Sequence, residues 1–185
     1  MRRDRHVRYY WDRSPRPDQL PVASAVFRRG ASGVPGAVPQ MWRYMATIGD
    51  DTGANLRDIT AEHHALVLFG FHQQSQPQLV HVQGVPLGRA VWQLRSSFSP
   101  DAVDRRFINA VTANDLDEVV HHLRGLVLQL RSVSPVLRFD YTQLVKDLGS
   151  WQRREQVDGV RLRWGRAYHG AGSHDSDDKK DQERQ

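Results

Sequence analysis

The chain of 185 residues contains no cysteine. That absence excludes disulfides, iron–sulfur clusters, cysteine-ligated zinc sites and thiol catalysis. Lysine is almost absent too: Lys146, Lys179 and Lys180 are the only three, so 23 of the 26 basic residues are arginine. No apolar run approaches the ~20 residues that span a bilayer. The basic N-terminal residues are not followed by the apolar stretch of a signal peptide. A soluble, cytoplasmic protein without a membrane role is therefore expected. Enzyme signatures are missing as well: there is no P-loop, no glycine fingerprint for a dinucleotide, no HExxH and no GxSxG. His63-His64 and His121-His122 are adjacent pairs whose side chains diverge by ~100° on a helix, so neither pair can chelate one ion. The lone His174-Asp175 lies in a polar tail, which argues against a His-Asp phosphohydrolase. No catalytic residue, metal or cofactor is expected.

What is present is positive charge. The formal net charge is +5. Residues 171–185 hold five acids (Asp175, Asp177, Asp178, Asp181, Glu183) against Lys179, Lys180 and Arg184, which leaves +7 on the preceding 170 residues. Codon usage in a GC-rich genome would enrich arginine over lysine, but it does not set where the arginines stand. A basic body implies salt-sensitive attraction to a polyanion.

Hydrophobic periodicity and breakers predict an all-α protein of about eight helices. Residues 1–18 read as a flexible basic-aromatic arm, with Arg2, Arg3, Arg5, Arg8 and Arg13 interleaved with Tyr9, Tyr10 and Trp11; such arms stack bases and contact phosphates. Residues 19–84 form an N-terminal helical part: a helix over Leu20–Arg29, a Gly/Pro-rich loop over 30–39, a helix over Pro39–Ile48, and a helix capped by Thr60 with Glu62 in its first turn. Residues 85–169 form a C-terminal helical bundle. It contains a helix over 87–94, one over 100–113 opened by Ser99 and Pro100, and a long helix capped by Asp115 and ended by Pro135. A helix through Tyr141–Trp151 follows. The stretch 157–168 alternates at Val160-Arg161-Leu162-Arg163-Trp164 as a strand would, yet Val157, Val160, Trp164 and Tyr168 share a helical face, and no strand partner is evident, so helix is favoured. Trp92, Trp151 and Trp164 are expected in the core. Residues 170–185 read as a disordered polar tail.

The most informative stretch is Val103-Asp104-Arg105-Arg106-Phe107. At ~100° per residue, Val103, Phe107, Ala110 and Val111 share one face. Arg106 falls on the flank of that face and Arg105 points nearly opposite. On the next helix Arg124 and Arg131 lie almost in line at one margin of the apolar stripe, about 10.5 Å apart along the axis. That spacing suits contacts with separated phosphates.

From about Ala23 to Tyr168 the chain resembles the CasB small subunit of the type I-E CRISPR surveillance complex, Cascade. The matching segments occur in the family's order. They are Phe27-Arg28-Arg29-Gly30, Met41-Trp42-Arg43-Tyr44 and Leu87-Gly88-Arg89-Ala90, then the Val103–Phe107 motif and Leu123-Arg124-Gly125-Leu126. Asp140-Tyr141 through Leu144, Asp147-Leu148, Trp151 and Trp164-Gly165-Arg166 complete the set. The resemblance implies an all-helical, two-lobed, non-catalytic protein, two copies of which lie in tandem along Cascade beside the CasC subunits on the CRISPR RNA and near the large subunit CasA. It further implies stabilisation of the R-loop by basic residues that contact the displaced DNA strand and the crRNA–target backbone. The positions that match are Arg28, Arg29, Arg105, Arg106, Arg124 and Arg131, for which a nucleic-acid contact is expected; Arg89, after a tight glycine, is as well explained by structure. A helical transcription regulator that reads duplex sites is the alternative reading.

Overall fold

The computed structural model describes residues 7–49 and 54–182, with the backbone alone from 173 onward. The expectation of an all-α fold holds. Among the described residues nine α-helices follow in order: α1 (Leu20–Arg29), α2 (Pro39–Trp42), α3 (Ala46–Gly49), α4 (Leu56–Gln73), α5 (Leu87–Gln93), α6 (Pro100–Val111), α7 (Leu116–Ser132), α8 (Tyr141–Trp151) and α9 (Arg154–Gln182). The sole β-type pairing among the described residues is an isolated bridge between His81 and Phe139.

α4 is the hub. Ala61, Ala65, Leu66, Leu68 and Phe69 are all buried along it, and α1, α7 and α8 pack around it. α7 also packs on α6, and α9 lies along α5 and touches α8. The buried side chains of all these helices join in one continuous core. Trp151 and Trp164 stack within it, ring centroids 5.3 Å apart, as expected for core tryptophans, while Trp92 is half-buried.

Several local expectations are corrected. The helix placed over Pro39–Ile48 is two short helices. Its second half starts afresh at Ala46 because the Glu62 carboxylate takes the Ala46 and Thr47 backbone N–H groups, at 2.7 and 2.8 Å, and the Thr47 hydroxyl at 2.6 Å. Glu62 is thus fully buried rather than a first-turn surface acid. Burial pushes its carboxyl above the usual range, against those hydrogen bonds. α4 begins earlier than Thr60. Asn55 accepts from the Arg57 and Asp58 N–H groups and Asp58 accepts from Asn55, a reciprocal cap that ties up the orphan donors. Thr60 instead donates to the Leu56 carbonyl. Asp115 does cap α7 as expected, accepting from Glu118 at 2.8 Å. The stretch 157–168 is helical, within α9, and that helix continues to Gln182 rather than ending at 170. No proline follows Pro135 to stop it.

The arm also differs from expectation. Arg2, Arg3 and Arg5 lie outside the described residues. From Tyr10, however, the chain enters the core: Tyr10 is 7% and Trp11 2% exposed. Tyr10 sits edge-on to Phe27, Tyr44 and Phe69. Its aromatics are therefore packing residues, not free stacking surfaces.

Two glycines of the family-like segments serve opposite roles. A Cβ on Gly88 would overlap the Trp164 carbonyl and stand 2.8 Å from the Tyr168 nitrogen, so α5 and α9 approach backbone to backbone. Around Gly125 in α7 nothing lies within 4 Å. Gly88→Ala is expected to cost about 1–3 kcal/mol by forcing two helices apart. Gly125→Ala should stabilise by roughly 0.5–1 kcal/mol through reduced backbone entropy of the unfolded chain. Denaturant titration of both variants checks the opposite signs.

Candidate nucleic-acid interface

The C-terminal end of α4 leaves its last four carbonyls without intrahelical partners and carries the negative end of the helix dipole. Two arginines from other helices fill that place. Arg28, in the last turn of α1, donates to the Gly70 carbonyl at 3.2 Å. Arg131, in the last turn of α7, donates to the Phe71 carbonyl at 3.0 Å and to the Gln74 side chain at 2.7 Å. Two turns back along α7, the Arg124 guanidinium lies 4.0 Å from the centroid of the Phe71 ring. The alignment of Arg124 with Arg131 read from the sequence thus has a physical destination, since both reach Phe71, by ring and by carbonyl. Gly70 permits the arrangement. A Cβ there would stand 2.7 Å from the Phe27 Cβ and 2.9 Å from the Ser24 carbonyl.

Arg28 is close enough to feel both Arg131 and Arg29. Partial burial, then the charges of Arg131 and Arg29, lower the Arg28 guanidinium below its usual basicity. It stays charged at neutral pH, because arginine starts far above that range. The ion pairs formed by arginine among the described residues involve Arg16, Arg95, Arg161 and Arg163. None of the six predicted arginines is neutralised in that way; Arg28, Arg124 and Arg131 meet at Gly70 and Phe71 as a cluster of like charge, with Arg29 next to Arg28.

Arg105 and Arg106 stand apart from the cluster, on α6. The motif that carries them divides cleanly. Val103 and Phe107 are buried. Phe107 stacks on Tyr168 of α9, centroids 4.1 Å apart and planes within 10°. Asp104 accepts the Tyr168 hydroxyl and pairs with Arg95 at 3.4 Å. Burial and the bond to Asp104 hold the Tyr168 hydroxyl well above its usual pKa. With those three positions anchored, Arg105 and Arg106 both face outward, exposed and without a protein partner among the described residues. Arg106 was expected at the core margin; it is as free as Arg105, because the Asp104 and Phe107 contacts turn the helix edge toward α9.

The six residues therefore fall into two kinds. Arg29, Arg105, Arg106 and Arg124 are exposed. Arg28 and Arg131 are half-buried and hold the end of α4. Arg131→Ala is expected to destabilise by about 1–3 kcal/mol, since it strips donors from a part-buried carbonyl and the Gln74 amide. Arg29→Ala should stay within about 0.5 kcal/mol of the parent. Thermal melts of the two variants check the difference. Sequence reading did not mark Phe71 or the α4 carbonyls. Residues 28 and 131 meet only across the folded core, so no local pattern announces them.

Asp140, Asp147 and Trp164, also in the family-like segments, are structural. Asp140 caps α8 through Gln143 N–H and accepts the Gly84 N–H. Buried Asp147 accepts from Trp164 Nε1 and Arg163, both at 2.6 Å, and from Gln143 at 3.0 Å. Among the described residues no three His, Asp or Glu side chains are grouped to hold a metal, and no helix is long and apolar enough to cross a membrane.

Residues 23–169 match the model of the CRISPR-associated protein Cse2 family. A Cse2 protein from Thermus thermophilus is 30% identical over 165 residues, covering 88% of this chain and 87% of that protein. The crystal structure of CasB from Thermobifida fusca is similar with a TM-score of 0.66 and 27% identity, over 83% of this chain and 88% of that one. CasB from Thermus thermophilus has the same TM-score at 25% identity, over 87% and 94% of the two chains.

Proposed function

This chain belongs to the Cse2 (CasB) family of CRISPR-associated proteins, and from that premise we propose that it is the non-catalytic small subunit of Cascade, which stabilises the R-loop through its arginines. The observation that carries the reading is that, among the described residues, none of the six matching arginines pairs with a carboxylate: Arg28, Arg124 and Arg131 gather at the end of α4, Arg29 stands beside Arg28 on α1, and Arg105 and Arg106 face outward on α6. Guanidinium groups left unneutralised on rigid helices offer phosphate contacts without base readout. R-loop formation exchanges one duplex for another of similar stability, so modest backbone contacts tip it. In this reading the chain contacts the displaced DNA strand and the crRNA–target backbone. It sits with a second copy of itself beside the CasC backbone and the CasA large subunit.

Competition binding tests the reading. Unrelated single-stranded sequences should displace one another with equal efficiency, with affinity falling steeply as salt rises. A strong preference for one duplex sequence would instead support a transcription regulator.

A further inference from the structure

Trp42, at the end of α2, is the one strongly exposed tryptophan among the described residues. It is 45% exposed, whereas Trp11, Trp151 and Trp164 are at most 4% exposed. Its position is nevertheless fixed. The indole Nε1–H donates to the Gly36 carbonyl at 2.8 Å. Gly36 has φ of +79°, and a Cβ there would stand 2.9 Å from Ile59, so the loop that accepts the bond admits only glycine without strain. With its single donor consumed internally, the indole offers a partner only its ring.

The charge on the segment that carries that ring is of one sign. From Gln19 to Gly49 the chain contains Arg28, Arg29 and Arg43 and not one Asp or Glu. Arg43 is exposed, and its guanidinium lies 4.7 Å from the centroid of the Tyr44 ring. Tyr44 is itself held edge-on against Phe27, with centroids 5.1 Å apart. The helix that carries the ring is also tied to the chain beside two of the arginines. Met41 is buried under Gly30, where any Cβ would overlap its sulfur, so α2 is seated against the chain that directly follows Arg28 and Arg29. A fixed aromatic ring beside unpaired arginines is how single strands are bound without regard to sequence: bases stack while phosphates meet the cations.

We propose that Trp42 and Arg43 form a base-stacking platform for single-stranded nucleic acid, continuous with the Arg28–Arg29 edge of the cluster. The inference rests on the nucleic-acid reading above and adds a contact with bases to one made of charge.

The test uses the full chain and fluorescence anisotropy with two labelled probes of equal length, an oligothymidylate and an abasic deoxyribose-phosphate strand. Trp42→Ala should weaken oligothymidylate binding by about tenfold, within the range of one base–aromatic stack. It should leave abasic binding and the salt slope as in the parent, and Trp42→Phe should recover most of the loss. An equal loss on both probes, or no loss on oligothymidylate, overturns the platform while leaving charge-driven binding intact. If Trp42→Ala lowers the melting temperature, the comparison passes to Trp42→Phe, which must then bind oligothymidylate close to the parent or the inference fails. A parent protein that binds neither probe would overturn the nucleic-acid reading itself.

Discussion

Replacing Arg29, Arg105, Arg106 and Arg124 together by alanine is expected to reduce affinity for single-stranded DNA by about 10²–10³-fold at ~0.1 M salt, with little change in stability. Each phosphate contact on a single strand releases about 0.7 of a counterion, so four lost contacts flatten the log–log salt dependence by roughly 2.8 and weaken binding by about fivefold apiece. Stability should hold because these four side chains are exposed, and the protein contact made by Arg124, over the Phe71 ring, contributes only about 0.5–1 kcal/mol at an exposed site. The loss should be the same for every strand sequence, since contacts with the backbone carry no sequence information. Anisotropy titrations across a salt series, with circular dichroism melts as the control, measure both halves. Unchanged affinity and slope in a folded variant would remove these arginines from the interface.

Trp11→Ala is expected to have the largest effect on stability, a loss of about 3–5 kcal/mol and a melting temperature lower by roughly 6–20 °C. The ring lies against Phe69, Tyr141 and His81, with centroids at 5.4, 5.3 and 6.0 Å. Its Nε1–H donates to the Thr142 hydroxyl at 2.9 Å, and that hydroxyl donates on to Asp12. Truncation would leave a cavity where the N-terminal segment, α4 and α8 meet. A flexible accessory arm would predict no shift in the melting temperature at all, so one thermal melt separates the two.

Trp11 also marks where sequence reading stops. Its partner Thr142 is 131 positions away, and nothing near residue 11 signals that an Arg/Tyr/Trp segment will be covered by α8. The elements that were legible carry their own local signals. α1 ends at Gly30, α6 opens with Pro100 behind Ser99, and Asp115 caps α7. The interior face of α6 was legible from periodicity alone, with Val103, Phe107 and Ala110 all buried. Glu62 was misread because its role is to cap a different helix, which depends on the packing of α3 against α4. The candidate interface divides the same way. That Arg105 faces solvent follows from a helical wheel; that Arg28 and Arg131 converge on Gly70 and Phe71 follows only from three helices meeting.

The central claim is that this chain tips R-loop formation by holding nucleic-acid backbone with exposed arginines on a rigid helical frame. Its most direct test is the lifetime of the R-loop on a matched DNA target in reconstituted Cascade, carrying either the parent chain or the Arg29, Arg105, Arg106 and Arg124 to alanine variant. The account predicts normal incorporation of the variant and an R-loop that collapses sooner, with a gap that narrows as salt rises and screens the parent's contacts. Equal lifetimes in fully assembled complexes would contradict it.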